Sequence, residues 1–294
     1  MNFQQFATTG FGTRLWMALG RWLPPSLGFA LAAGITGVLA QRRESSLYRI
    51  VHANQAAVLG PAADPEEVHD AVRAMLRHAG RAAYDLMHLV AQGAEAIQAA
   101  IAFPAEFWAH VAAARATGRG VMICGCHLSN FNLGFIAFAL SGFPVQVLSP
   151  PAPAGGFKLI HELRRSGVIE ETPIEMQALR KAVGRLRAGG IVLTGADWPL
   201  GAVEGETVSF FGRPARLPTG HVRLAISANA VLLPMACRWE QARGYYVMAA
   251  PHLELELTGD RSADVLHNAR RVLTVFEGWI TETPEQWLMY HPVW

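Results

Sequence analysis

Apolar residues recur along this chain in two rhythms. Val68, Val72, Met75, Leu76 and Ala79 are spaced three and four apart, the period of a helix face, with His69 and Arg73 on the other side. Asp64-Pro65-Glu66-Glu67 precedes them as a start signal: an Asp cap, Pro at the first helical position, and acids at the positive end of the dipole. That helix is predicted to run to about Gly93, and a second spans Pro104 to Thr117. Val121–Cys124 is a continuous apolar run bounded by glycines, the signature of a strand buried on both faces. Gly125–Asn130 is a turn, Phe131–Leu140 a helix, Pro144–Leu148 a strand and Pro150–Gly156 a Pro/Gly-rich loop. Further on come a helix over Pro173–Arg187, a strand over Ile191–Thr194 and a loop over 198–206. A hairpin of Thr207–Phe211 with Ala215–Leu217 follows, then a helix over 219–229 and a strand over Val231–Arg238. A long strand over Tyr245–Leu257 and a helix over 261–281 complete the pattern. Alternation of this kind predicts an α/β fold with a mainly parallel central sheet flanked by helices. Residues 61–294 form one domain, and residues 1–60 form a helical, apolar N-terminal extension packed on it or anchoring it.

Composition sharpens the expectation for the extension. Hydrophobic residues make up 51% of the 294 and charged residues 16%, against about 25% charged in an ordinary soluble domain. A surface so poor in charge suits a protein resting on a bilayer. Leu27–Ala40 is apolar but shorter than the roughly 20 residues a spanning helix needs, and Pro24-Pro25 break any longer helix. Gly28, Gly34 and Gly37 favour close packing. Arg14 and Arg21 precede the segment, and Arg42 and Arg43 follow it. The pattern predicts an amphipathic or partly inserted anchor, with a buried core helix as the plain alternative. No cleavable secretion signal is evident. A net charge of +2, with no basic run, gives no reason to expect nucleic acid as a partner.

Chemistry concentrates after the first buried strand. His127 follows that strand directly, and open α/β sheets gather their reactive groups at the carboxyl ends of strands. An imidazole there is suited to proton transfer near neutral pH, although a structural histidine is the plain reading for any one of 11. Cys124, Cys126 and His127 are too tightly spaced for zinc and lack a second cysteine pair, so no metal is expected. Cys126 is a weak candidate nucleophile, since sequence neighbours rarely aim at one another.

Several segments then carry a resemblance when taken in order. Cys126-His127-Leu128-Ser129-Asn130-Phe131-Asn132-Leu133-Gly134 resembles the His-x-x-x-x-Asp/Glu segment of the lysophospholipid acyltransferase superfamily. It is closest to the branch of the lipid A late acyltransferases and the mycobacterial phosphatidylinositol mannoside acyltransferase. Gly189-Gly190-Ile191-Val192 leading to Ala196-Asp197 resembles that branch's strand ending in aspartate, and Phe210-Phe211-Gly212-Arg213-Pro214-Ala215 its Phe-Phe-Gly-x-Pro-Ala signature. Pro218-Thr219-Gly220 to Pro234, and Pro284-Glu285-Gln286-Trp287 with His291 and Trp294, continue the likeness.

The resemblance implies transfer of a fatty acyl group from a thioester, on coenzyme A or acyl carrier protein, to a hydroxyl of a membrane glycolipid or phospholipid. His127 is then the general base, with no cofactor beyond the thioester co-substrate. The place of action is the cytoplasmic face of a bacterial inner membrane, peripheral or anchored by the N-terminus. One departure stands out: the acid of the motif is replaced by Asn132. A charge-free partner predicts slow turnover, a substitute acid, or a weakened member that binds lipid or acyl carrier protein without efficient turnover. A hydrolase passing the acyl group to water is a more distant alternative. Asp197 is the leading substitute, followed by Glu204 and Glu206 from a loop able to fold over the site. Arg213 and Arg216 are expected to bind donor or acceptor phosphate, Asn130 to contact substrate, and Phe210 and Phe211 to line an acyl groove or pack in the core.

Overall fold

The computed structural model describes residue 20 and residues 22–149, 169–199 and 206–294. The Pro150–Gly156 loop, Glu204, Arg14 and Arg21 lie outside the described residues. Helices α1 (Pro25–Gln41), α2 (Ser46–Leu59), α3 (Pro65–Gln92) and α4 (Ala94–Ala100) come first. Then follow β1 (Ile101–Ala102), α5 (Ala105–Ala116), β2 (Val121–Gly125), α6 (Phe131–Leu140), β3 (Val145–Ser149) and β4 (Ile169–Pro173). The remainder is α7 (Met176–Arg187), β5 (Ile191–Gly195), β6 (Glu206–Phe210), β7 (Arg213–Leu217), α8 (Gly220–Ala228), β8 (Val231–Glu240), β9 (Gly244–Ala249) and α9 (Arg261–Glu282), then a 3₁₀ turn over Pro284–Gln286.

Seven strands form one sheet in the order β1-β9-β8-β2-β5-β3-β4, and β6 pairs with β7 in a separate hairpin. Strands β8, β2, β5, β3 and β4 run parallel, while β9 runs antiparallel to β8 and parallel to β1. All five residues of β2 are buried, as a central strand covered on both faces requires. One core packs Met122, Val192 and Leu232 with α7, α8 and α9, and the other packs Ile123, Leu193 and Leu233 with α5 and α6. Residues adjacent along a strand thus supply opposite faces. Helix α6 is apolar nearly all round and correspondingly buried, with Phe138 stacked on Phe143 and edge-on to Phe107.

Helix α3 starts where the Asp-Pro-Glu-Glu signal sits. The Asp64 carboxylate accepts the Glu66 N–H at 2.8 Å, and Pro65 occupies the first turn. The helix stops at Gly93, whose φ of 99° suits glycine. His69, expected on the outer face, is buried, with Nδ1 2.7 Å from the Tyr48 hydroxyl of α2. Helix α2 covers that side of α3 and turns an expected polar face into an interface.

In α1, Gly28, Ala32, Thr36 and Ala40 recur every four residues and are buried. A Cβ on Gly28 would stand 2.1 Å from the Tyr84 ring of α3, so glycine is what allows the two helices to approach. Gly34 and Gly37 face open space instead, contrary to the packing role expected of them. Leu27, Leu31 and Val38 share the opposite face of α1 and are exposed, as is Trp22 before it. Among the described residues no helix is long and apolar enough to cross a membrane.

Two expectations fail for identifiable reasons. The strand predicted over Tyr245–Leu257 ends at Ala249, apart from an isolated bridge between Leu232 and Leu253. Beyond it the backbone is satisfied by a helix side chain: Asn268 of α9 donates to the Glu256 carbonyl at 2.8 Å and accepts the Glu256 N–H at 3.0 Å. Alternating residues therefore do not require a ladder partner there. Strand β4 was not anticipated, and Pro173 closes it instead of opening a helix, with α7 starting at Met176.

Candidate active site

Strands β2 and β5 are direct neighbours, paired in register from Val121–Ile191 to Gly125–Gly195. His127 and Asp197 each lie two residues past that last pair. The Ala196 N–H donates to the Gly125 carbonyl at 3.0 Å, which carries the pairing one step beyond the strands and brings the two side chains together. His127 Nδ1 is 2.6 Å from Asp197 Oδ1, and the His127 backbone N–H donates to the same carboxylate at 3.0 and 3.2 Å.

Asp197 is wholly buried. Its other hydrogen bonds come from the Trp287 indole N–H at 2.9 Å and the Cys126 thiol at 3.5 Å. Burial works to raise its pKa. The adjacent His127 charge and the bonds from His127 and Trp287 outweigh that and hold the carboxyl below its ordinary value. An ionised carboxylate only accepts, so the His127 proton belongs on Nδ1 and the lone pair on Nε2. The ring is wedged between Phe131, with centroids 4.5 Å apart, and Trp198 at 4.8 Å. Its Cε1 edge also abuts Gly195, where a Cβ would come within 2.5 Å of Cε1. Trp198 in turn contacts the His291 ring at 4.6 Å.

The turn after His127 is held from two sides. Ser129 has a φ of 47°, strained for a residue with a side chain. Its N–H donates to the Gln286 carbonyl at 2.6 Å, and its hydroxyl is 2.9 Å from His78 Nε2 of α3. Leu288 N–H donates to the His127 carbonyl at 3.0 Å. Asn130, expected at the substrate, is buried and donates instead to the Ala82 carbonyl of α3 at 2.9 Å. It is a tie between the turn and the helix layer.

Asn132 sits half-buried on the first turn of α6. The carboxylate on Nδ1 is Asp197, 70 residues away in sequence, so the charge that the motif position lacks arrives from the neighbouring strand. Glu206, the other acid expected near the site, bonds to Thr219 and Arg223 at the start of α8, the latter at 2.6 Å. Phe210, expected in an acyl groove or the core, is fully buried against Trp287 and Trp294, so it packs. Phe211 is partly exposed and lies 6.4 Å from Trp287 between ring centroids. Arg213 and Arg216 are exposed on β7, with the Arg213 guanidinium 5.3 Å from the Trp294 ring.

The three cysteines are buried and free. Burial, then the neighbouring Asp197 charge, push the Cys126 thiol far above its ordinary value, which removes it as a nucleophile. Among the described residues no group of three or more His, Cys, Asp or Glu side chains is placed to hold a metal. A cavity of about 620 Å³ with Arg115, Lys181 and Arg185 on its walls opens at Pro144 and Ile191, the starts of β3 and β5, and so lies at the end of the sheet away from His127.

Trp198, Trp287, Gly195 and His78 did not stand out as site residues in the sequence. Trp198 adjoins Asp197, and Trp287 lies in the C-terminal run that carries the resemblance, so both had a local signal. His78, 51 residues from Ser129, had none.

The family model for bacterial lipid A biosynthesis acyltransferases matches residues 3–294. The phosphatidylinositol mannoside acyltransferase of Mycobacterium tuberculosis (strain ATCC 25618 / H37Rv) is 29% identical over 189 residues, covering 63% of this chain and 58% of that protein. The enzyme of the same name from Mycolicibacterium smegmatis is 26% identical over 189 residues, covering 63% and 60%. The chain thus spans less than two thirds of these curated relatives. With a dyad at the rim of a mainly parallel sheet and a family match over nearly its whole length, the chain belongs to the bacterial lipid A biosynthesis acyltransferase family.

Proposed function

We propose that this protein transfers a fatty acyl group from a thioester, on coenzyme A or acyl carrier protein, to a hydroxyl of a membrane glycolipid or phospholipid. His127 is the general base. The observation that carries the reading is the 2.6 Å contact between His127 Nδ1 and the buried, ionised Asp197.

Nε2 takes the proton of the acceptor hydroxyl as its oxygen attacks the thioester carbonyl. Asp197 holds the ring in the tautomer that leaves Nε2 basic and offsets the positive charge of the imidazolium. Collapse of the tetrahedral intermediate breaks the C–S bond, and the imidazolium returns the proton to the departing thiolate. Phe131 and Trp198 hold the ring in one orientation during the transfer. Asn132 carries no charge, and in this reading none is needed there because Asp197 supplies it.

The acceptor lies in a bilayer, and the enzyme works at its surface. Leu27, Leu31 and Val38 offer an exposed apolar face on α1, with Arg42 and Arg43 at its end. The mycobacterial relatives are phosphatidylinositol mannoside acyltransferases, which makes a phosphatidylinositol mannoside one candidate acceptor, and a lipid A precursor is another.

The test is a radiolabelled acyl-CoA and acyl-carrier-protein assay with a panel of glycolipid and phospholipid acceptors, on wild type and His127→Ala. Label moving into lipid, and falling by about 10²–10⁴ in the variant, supports the reading. Lipid binding without turnover in both proteins would sink it. Acceptor-independent release of free fatty acid would make the protein a hydrolase.

A further inference from the structure

The Asp197 carboxylate has two oxygens and different work for each. Oδ1 meets the His127 ring at 2.6 Å, while Oδ2 accepts the Trp287 indole N–H at 2.9 Å, the His127 backbone N–H at 3.0 Å and the Cys126 thiol at 3.5 Å. The backbone and thiol donors both belong to the Cys126-His127 turn itself, whereas the indole ties the same oxygen to a separate segment and so resists rotation of the carboxylate against the imidazole. We propose that Trp287 is a positioning residue for the acyl transfer, fixing the dyad through Asp197 and touching no substrate. This rests on the reading of His127 as the base.

Three observations carry it. First, Trp287 is fully buried, so it has no route to a substrate. Second, packing alone does not require its N–H. The ring fills a site between Phe210, Phe211 and Trp294, at centroid distances of 5.9, 6.4 and 6.3 Å, which a phenylalanine would also occupy. A buried indole needs an acceptor, and here that acceptor is the one charged group of the dyad. Third, the backbone of the same segment holds the other partner. Leu128 and Trp287 form a bridge, Leu288 N–H donates to the His127 carbonyl, and the Gln286 carbonyl accepts Ser129 N–H. Residues 286–288 thus grip His127 by its backbone and Asp197 by its side chain. The segment is itself pinned to α2: Gln55 donates to the Pro284 carbonyl at 2.9 Å, and Asn54 donates to the Met289 carbonyl at 3.2 Å and the His291 carbonyl at 2.8 Å. Dyad geometry therefore depends on packing between the N-terminal helices and the C-terminal segment.

The experiment compares wild type with Trp287→Phe, and with a chain carrying 3-benzothienylalanine at 287. The latter keeps the bicyclic shape and replaces only the N–H by sulfur, so it remains informative if the Phe variant fails to fold. The expected result is a fall in kcat of about 10–100-fold, the rate equivalent of one charge-assisted hydrogen bond, with KM within about twofold. The second readout is NMR titration of the His127 ring, which does not depend on turnover. With the indole dipole gone, more uncompensated negative charge faces the imidazolium, and its titration midpoint moves up by about 0.3–1 pH units. A downward movement reports a carboxylate turned away from the ring and supports the positioning role equally. An unmoved titration overturns the proposal, whether kcat is unchanged or has fallen through a general packing defect. Failure of the acyltransfer reading shows separately, as a wild type without turnover whose His127 titration still responds to residue 287.

Discussion

The carboxylate of Asp197 is bonded by His127 twice, through the ring nitrogen Nδ1 at 2.6 Å and through the backbone N–H at 3.0 Å. The same residue that uses the charge therefore also fixes where the charge sits. Replacing Asp197 by Asn keeps the shape but removes the charge, and sets an amide N–H against groups that are already donors. Asp197→Asn is expected to lower turnover by about 10²–10⁴, in line with the comparable change in serine proteases. It also costs on the order of 1.5–3 kcal/mol of stability at neutral pH. The pH dependence has a definite sign. A carboxyl whose folded pKa is depressed stabilises the fold above its unfolded pKa of about 3.9 and loses that contribution as pH falls through the folded value. Urea unfolding at pH 7 and pH 3 should show a gap between wild type and variant that narrows in acid.

Asn132 can be tested by giving the motif its acid. With Asp197 already on Nδ1, Asn132→Asp is expected to leave turnover equal or somewhat faster. A dead variant in the same radiolabel assay would mean that the amide has a task of its own, such as holding the acceptor hydroxyl.

Gly195 leaves room for the Cε1 edge of the imidazole, and a methyl there would stand 2.5 Å from His127 Cε1. Gly195→Ala must displace the ring by about an ångström, which is expected to cost about 10²-fold in kcat. Gly34→Ala is the control. Its added methyl meets open space within a helix, so activity holds and stability rises by about 0.5–1 kcal/mol.

Two buried histidines set the acid stability of the scaffold. Burial lowers His78 and His221 to about 4, with the Arg81 charge adding to the effect at His78. Between their unfolded value near 6.5 and 4, the unfolded chain takes up protons that the folded chain refuses, so stability falls on acidification through that window. The loss is on the order of 2–3 kcal/mol per histidine by pH 4. Both His221 ring nitrogens are buried with no hydrogen-bond partner. His221→Leu should therefore flatten the dependence and raise the urea midpoint at pH 5 above that of wild type.

The exposed face of α1 makes a prediction about lipid binding. Changing Leu27, Leu31 and Val38 together to Gln should lower binding to anionic phospholipid vesicles at least about tenfold, since burying each apolar side chain is worth about 1.5 kcal/mol or more. The melting temperature should hold, because these side chains support no core. Unchanged vesicle binding would remove α1 as the membrane contact.

Local signals in the sequence located most elements and both candidate members of the site, His127 and Asp197. The apolar run Val121–Cys124 reads as a buried strand because a central parallel strand has no polar face to show. A histidine directly after it is then at a strand's carboxyl end whatever the rest of the chain does. The same logic set Asp197 beyond Ile191–Thr194. It failed at His252–Leu257, where alternation was present but only Leu253 bridges a strand and Asn268 takes the Glu256 backbone bonds that a neighbouring strand would have supplied. It failed again at His69, which is polar at a position that α2 covers. Periodicity reports which residues share a face, not what lies opposite that face.

The sequence by itself determined the alternation of helix and strand, the candidate base and the absence of an acid at position 132. Among the substitutes the sequence offered, Asp197 first, tertiary structure decided which carboxylate stands on the His127 ring. Strands β2 and β5 pair in register, so residues 127 and 197 meet two steps past Gly125 and Gly195, and only strand order makes them neighbours. The same holds for Trp287, brought to Asp197, 90 residues away along the chain, by a C-terminal segment that bonds to the His127 turn. A charge-assisted hydrogen bond depends on distances within a few tenths of an ångström, and pairings so remote in sequence acquire such distances only when the sheet and its covering helices assemble.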